Sequence, residues 1–180
     1  MTNIIKPYET VSDYVTGRPV PLVGAEENRQ LLEKFLVEEK GYSRGDIAID
    51  VPLVFEVAGE MYRSTVDLVV SAAGRPLMAV KCAAGSLGSR EREAVAAARL
   101  AGQTPLPLAM VSDGRTAVVL DAVSGRPIGE SLNDVYSREA LEAAFTAYDP
   151  EPLSAAKLEK ERLVFRTYDS MNVNAARHLK

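Results

Sequence analysis

The chain holds one cysteine, Cys82, one histidine, His178, and no tryptophan. A lone cysteine forms no internal disulfide, and without a Cys/His cluster there is no ligand set for structural zinc. Ser-His or Cys-His catalysis has almost no material to draw on. No apolar run reaches membrane-span length, so a membrane protein is not expected. The opening residues "MTNIIKPYET" lack a basic-then-apolar leader pattern, which with the thiol content points to a reducing cytoplasm. Excess positive charge is also missing. The formal net charge is −4, whereas proteins that depend on phosphate neutralisation carry a basic footprint. No GxxxxGK(S/T) phosphate loop occurs, so no ATP-driven motor is expected in this chain.

What is present suits a globular domain: 180 residues, 47% apolar and 26% charged. Residues 1–22 are polar and proline-containing, and read as an extended N-terminal arm. "AEENRQLLEKFLVEEKGY" places Leu31, Leu32, Phe35 and Leu36 at helical spacing, and Gly41 ends the pattern. Glu26 and Glu27 stand in its first turn, where negative charge complements the helix dipole. Three strands follow, near 47–57, 61–71 and 76–83, separated by "AGE" and "AAGRP" as in an antiparallel meander. "GSREREAVAAARLAGQ" reads as a helix capped by Ser86 or Ser89 and stopped by Gly102. "LPLAMVSD" and "RTAVVLDA" are two more strands. Ser137 caps a further helix, and helical periodicity returns beyond Pro150. A strand–helix–strand crossover after a meander predicts an α/β domain with a mixed five-stranded sheet flanked by helices. The divisions are an arm over 1–22, a domain over 23–148 and a helical tail over 149–180, which packs on the domain or on a partner.

"RPLMAVKCAAG", residues 75–85, sets a lysine into an otherwise apolar strand. An unpaired buried charge is costly, so Lys81 needs a carboxylate. Side chains alternate along a strand, so Lys81 shares its face with Ala79 and Ala83, and Cys82 faces the core on the other side. Asp67, in "STVDLVV", can answer Lys81 across neighbouring strands.

The strings "DYVTGRPVPLVGAEENRQLLEKFLVEEKGY", "STVDLVV", "RPLMAVKCAAG" and "LPLAMVSDGRTAVVLD", in this order and spacing, resemble the N-terminal nuclease-like domain of the type I restriction enzyme R subunit. That family has the restriction-endonuclease-like fold and the PD-(D/E)xK active-site motif. The resemblance implies a helix carboxylate, a strand aspartate and a second carboxylate around a divalent metal, with a lysine two residues after the second carboxylate. It aligns Glu27 (or Glu26, one residue out of register) with the helix acid and Asp67 with the strand acid. The family's Val-Glu-Cys-Lys falls on Val80-Lys81-Cys82-Ala83, so Lys81 takes the second acid's place and Ala83 that of the lysine. The supporting glutamine and tyrosine of many relatives fall on Ala96 and Leu100.

Replacing a carboxylate by an ammonium shifts the local charge by about two units, several kcal/mol against a divalent ion at an effective dielectric near 20. The expected reading is a remnant site of Glu27, Asp67 and Lys81 with no cofactor, in a domain that acts as a binding module. Contact with DNA would come through a local basic face drawn from Arg63, Arg75, Arg90, Arg92, Arg99 and Arg115, and the C-terminal helix would serve a homo-oligomer or protein partner. The alternative is a DNA endonuclease with a rearranged site, Mg2+ on Asp67 and Glu27, and a second carboxylate from Glu56 or Glu60.

Overall fold

The computed structural model describes residues 8–171. His178 lies outside them. The chain starts with a small antiparallel pair, β1 (Thr10–Ser12) and β2 (Pro19–Pro21), followed by helix α1 (Glu26–Glu38). β3 (Ile47–Val57), β4 (Glu60–Ala72) and β5 (Arg75–Cys82) form the expected meander. Helix α2 (Glu91–Leu100) carries the chain over to β6 (Leu108–Ser112), which pairs parallel with β5. β7 (Ala117–Asp121) and β8 (Arg126–Gly129) complete the sheet, and helices α3 (Arg138–Phe145) and α4 (Ala155–Ser170) follow.

The sheet has six strands in the order β3-β4-β5-β6-β7-β8, one more than expected, and the β1–β2 pair stands apart from it. β8 escapes a sequence reading because "RPIG" holds a proline and a glycine and is largely exposed. Such a strand is tolerated only at an edge, where its position here puts it. The arm also has order of its own. Tyr14 N–H donates to Gln30 Oε1 at 2.6 Å, and Tyr14 Oη donates to Glu38 at 2.9 Å, tying the β1–β2 connection to α1.

The sheet separates two cores. On one side Leu32, Leu36, Val80, Cys82, Met110 and Leu141 pack together, joining α1 and α3 to the sheet. On the other Ala79, Ala83, Ala94, Ala97, Ala98, Val111 and Phe165 join α2 and α4 to it. Alanine on α2 lets the helix approach closely, since little side-chain volume intervenes. The expected cap of α2 is absent: Arg90 occupies the N-cap without a side-chain bond, after a 3-10 turn over Gly88–Arg90. Ser89 Oγ instead donates to the Ser86 carbonyl at 2.8 Å. Ser137 does cap α3, accepting from Ala140 N–H.

The β6–β7 turn is locked against α1. Gly114 has φ +81°, and a Cβ there would lie 2.6 Å from the Asn28 carbonyl oxygen. Both the backbone angle and the close approach demand glycine.

Candidate functional site: a neutralised carboxylate–lysine cluster

β4 and β5 pair in the register Leu68↔Val80, Val69↔Ala79 and Val70↔Met78. Beyond this the Cys82 N–H turns to Asp67 Oδ2 at 2.7 Å. The Asp67 side chain thus takes over beyond the Leu68↔Val80 pair, at the carboxyl end of β5. Its other oxygen, Oδ1, lies 3.3 Å from Lys81 Nζ. The cross-strand pair inferred from strand alternation is therefore formed.

A second carboxylate reaches the same ammonium, from α2. Glu93 Oε1 stands 3.3 Å from Lys81 Nζ, and Glu93 Oε2 is 3.0 Å from Arg90. The Thr65 carbonyl accepts from Lys81 at 3.4 Å. Phe165, on α4, lies over the ammonium with its ring centroid 5.9 Å away, within cation–π range. Next to it Tyr62 Oη donates to Asp169 at 2.7 Å, anchoring the end of α4 to β4. Glu93 is fully buried, Lys81 is 6% exposed at its side chain and Asp67 15%. Burial alone would lower the Lys81 pKa, but Asp67, and after it Glu93 and Asp169, raise it above the usual lysine value. The ammonium stays charged.

Glu27 does not join this cluster. It is exposed and lines a groove with Val11, Leu22, Leu31 and Lys34. Its neighbour Glu26 is buried but faces another way, accepting from Arg29 Nη2 at 2.6 Å and from Gln30 at 2.7 Å. Arg29 also meets Asp13 at 3.1 Å and Glu33 at 3.3 Å. The first turn of α1 therefore feeds a buried acid–guanidinium cluster on the α1 side, while Lys81 faces α2. Glu60 pairs with Arg166 at 3.1 Å, and the Glu56 carbonyl accepts from Arg162 at 3.4 Å, so both are engaged with α4. Ala83 is buried in the α2-side core beside Ala79. Ala96 is buried and Leu100 half-buried, so the corresponding slots on α2 carry apolar side chains. Cys82 is a buried core residue whose thiol is pushed up by burial.

The sequence reading misses Glu93 as a site residue. Its Arg90 contact uses only one of its two oxygens. The available signal was an acid set among Ala94, Ala97 and Ala98, inside the stripe that a packed helix buries.

Whether these groups suit a divalent metal depends on charge and on free oxygens. Asp67 and Glu93 bring two negative charges, and Lys81 and Arg90 bring two positive ones. Each carboxylate has one oxygen on Lys81 and the other on a fixed donor, Cys82 N–H or Arg90. A hard cation needs several anionic oxygens not already neutralised. Among the described residues no group of three His, Cys, Asp or Glu is placed to hold a metal ion. As they stand, the residues do not fit the metal that the family resemblance implies.

Sheet order, crossover and cluster together define an α/β domain with a charged network sealed between β4, β5 and α2. Residues 24–135, more than half of the chain, match the family model described as type I restriction enzyme R protein N terminus (HSDR_N), and the chain belongs to that family. No curated protein and no solved structure matches it. Among the described residues no helix is long and apolar enough to cross a membrane.

Proposed function

We propose that this chain is a nuclease-family domain that does not cut, and that it serves as a binding module associated with nucleic acid. One observation carries this reading: the Lys81 ammonium sits between Asp67 and Glu93, closed over by Phe165. A phosphodiester would meet two carboxylates already paired with Lys81 and Arg90. Nucleic-acid contact would fall to arginines left at the surface. Arg75 donates to the carbonyls of Phe145, Thr146 and Tyr148 beyond α3, Arg90 holds Glu93, and Arg99 holds Glu161. Arg63, Arg92 and Arg115 are exposed and remain for phosphates.

Incubating the purified chain with supercoiled plasmid and Mg2+ or Mn2+ should give no nicking. A gel shift should appear at low salt and fade as salt rises. No shift at low salt rejects the nucleic-acid role.

A second reading is a DNA endonuclease with a rearranged site. Favouring it, two carboxylates and one lysine do meet, with Glu93 rather than Glu56 or Glu60 supplying the second acid. Nicking that a chelator and Asp67→Ala both abolish would establish it and remove the first.

A further inference from the structure

We propose that the N-terminal β1–β2 hairpin is a proton-linked strap, held on α1 by a buried cluster of three carboxylates around one guanidinium and released as that cluster gives up its proton. This device is independent of whether the domain cuts nucleic acid.

Arg29, on α1, stands 3.1 Å from Asp13 in the β1–β2 connection, 2.6 Å from Glu26 and 3.3 Å from Glu33. None of these four residues is more than 2% exposed. The hairpin meets α1 through this cluster and the residues beside it. Gln30 donates to Asp13 at 3.1 Å, and its Oε1 accepts from the Tyr14 N–H at 2.6 Å. Tyr14 Oη donates to Glu38, and Val15 packs against the α1-side core. The bonds from Asp13 N–H to the Arg18 carbonyl and from Thr16 N–H to Asp13 are internal to the hairpin. Release would thus part Asp13, Tyr14 and Val15 from α1 and admit water to the cluster.

Three carboxylates out of water repel one another, so the cluster is lowest in energy with one of them protonated. Asp13 is fixed as an anion by the Thr16 N–H and hydroxyl, both at 2.7 Å. Glu26 accepts from Arg29 and Gln30. Glu33 is the proton holder. Burial raises its carboxyl to about 7 against Arg29, with Asp13 and Asp50 on β3 adding to the rise and the Val15 N–H opposing it. Cys82 on β5 also faces the cluster, and burial pushes its thiol up, so it stays neutral in this range. A released hairpin returns Glu33 to water and its ordinary 4.5, so release expels a proton. Docking is therefore strongest below about 4.5 and weakens until the pH has passed about 7.

Hydrogen exchange of the Tyr14 amide, divided by its intrinsic rate at each pH, reads the opening. Between pH 5 and pH 8 its protection should fall about 50- to 100-fold, with little dependence on urea. The core amides of Val80 and Met110 should stay better protected and urea-sensitive. In Glu33→Gln, which mimics the protonated acid, Tyr14 protection should be nearly constant over the same range. The carboxyl 13C shift of wild-type Glu33 should titrate near 7. A Tyr14 amide that exchanges only with the core, at the same protection and urea dependence, would overturn the strap. So would an equal fall in Glu33→Gln, or a Glu33 carboxyl that titrates below about 5. Should the variant fail to fold, the wild-type exchange and carbon titration decide between the same outcomes.

Discussion

The Lys81 ammonium bridges Asp67 on β4 and Glu93 on α2, 3.3 Å from each. One side chain on the central part of the sheet thereby holds a neighbouring strand and the crossover helix together. Its two ends are not equivalent. Arg90 can turn to water if Glu93 loses its charge, whereas Glu93 is fully buried and Asp67 is exposed at only 15% of its side chain.

Lys81→Met should therefore cost more than Glu93→Gln. Breaking a buried pair from the lysine side leaves uncompensated carboxylates, worth about 3–5 kcal/mol. The glutamine keeps the shape and a polar contact, and should cost about 1–3 kcal/mol. Urea unfolding of the two variants at neutral pH measures both. Losses below about 0.5 kcal/mol in each would mean that the network contributes nothing to the fold.

Glu33 makes stability depend on pH. Burial raises its carboxyl from 4.5 to about 7, and Arg29 only partly offsets this. The folded state thus holds a proton that the unfolded chain releases near 4.5. Below that pH the contribution is fully present, and it is lost as pH climbs through about 7. At about 1.36 kcal/mol per pH unit, the loss is of the order of 3 kcal/mol. Asp13 works in the opposite sense. Burial alone would raise it, but hydrogen bonds from the Thr16 N–H and hydroxyl, with Gln30 and Arg29, hold it below its usual range, so its contribution disappears only in more acidic solution. Denaturation at pH 5 and pH 8 should show a larger drop for the wild type than for Glu33→Gln. Equal drops would contradict the assignment.

The C-terminal helix is part of the domain. Phe165 is fully buried and packs edge-on to Phe55 with centroids 6.1 Å apart. Phe165→Ala should cost about 3–5 kcal/mol. Truncation after Pro150 should give an unfolded or aggregated product in circular dichroism and light scattering. A truncated chain that stays monomeric with an unchanged Tm would show that α4 is dispensable.

Much of this was legible in the sequence, for physical reasons that differ from one element to the next. The β3–β4–β5 meander is marked by turn residues at both of its hairpins, and the observed strand ends differ by a residue or so from those expected. The Asp67–Lys81 pair followed from period-two alternation and the cost of a bare buried charge. α1 was visible as a helix, but not its rotation. Glu26 and Glu27 are equally good first-turn acids, and the choice between them depends on the buried stripe. Counting back seven residues from Leu32 and Glu33 reaches Ala25 and Glu26, the buried side, whereas Glu27 lies seven before exposed Lys34. Glu93 was harder still. Its approach to Lys81 needs the chain to leave β5, pass the loop beyond Ala83 and fold α2 back over the sheet, a long-range outcome that local pattern does not encode. β8 and the β1–β2 pair are too short and too proline-rich for periodicity to register.

A crystal of the wild type grown in MnCl2, with anomalous data collected at the manganese edge, examines the ammonium directly. Density for Lys81 Nζ between Asp67 Oδ1 and Glu93 Oε1, with no anomalous peak there, is the expected result. A manganese peak at coordination distance from Asp67, with the Lys81 side chain turned away, would contradict it.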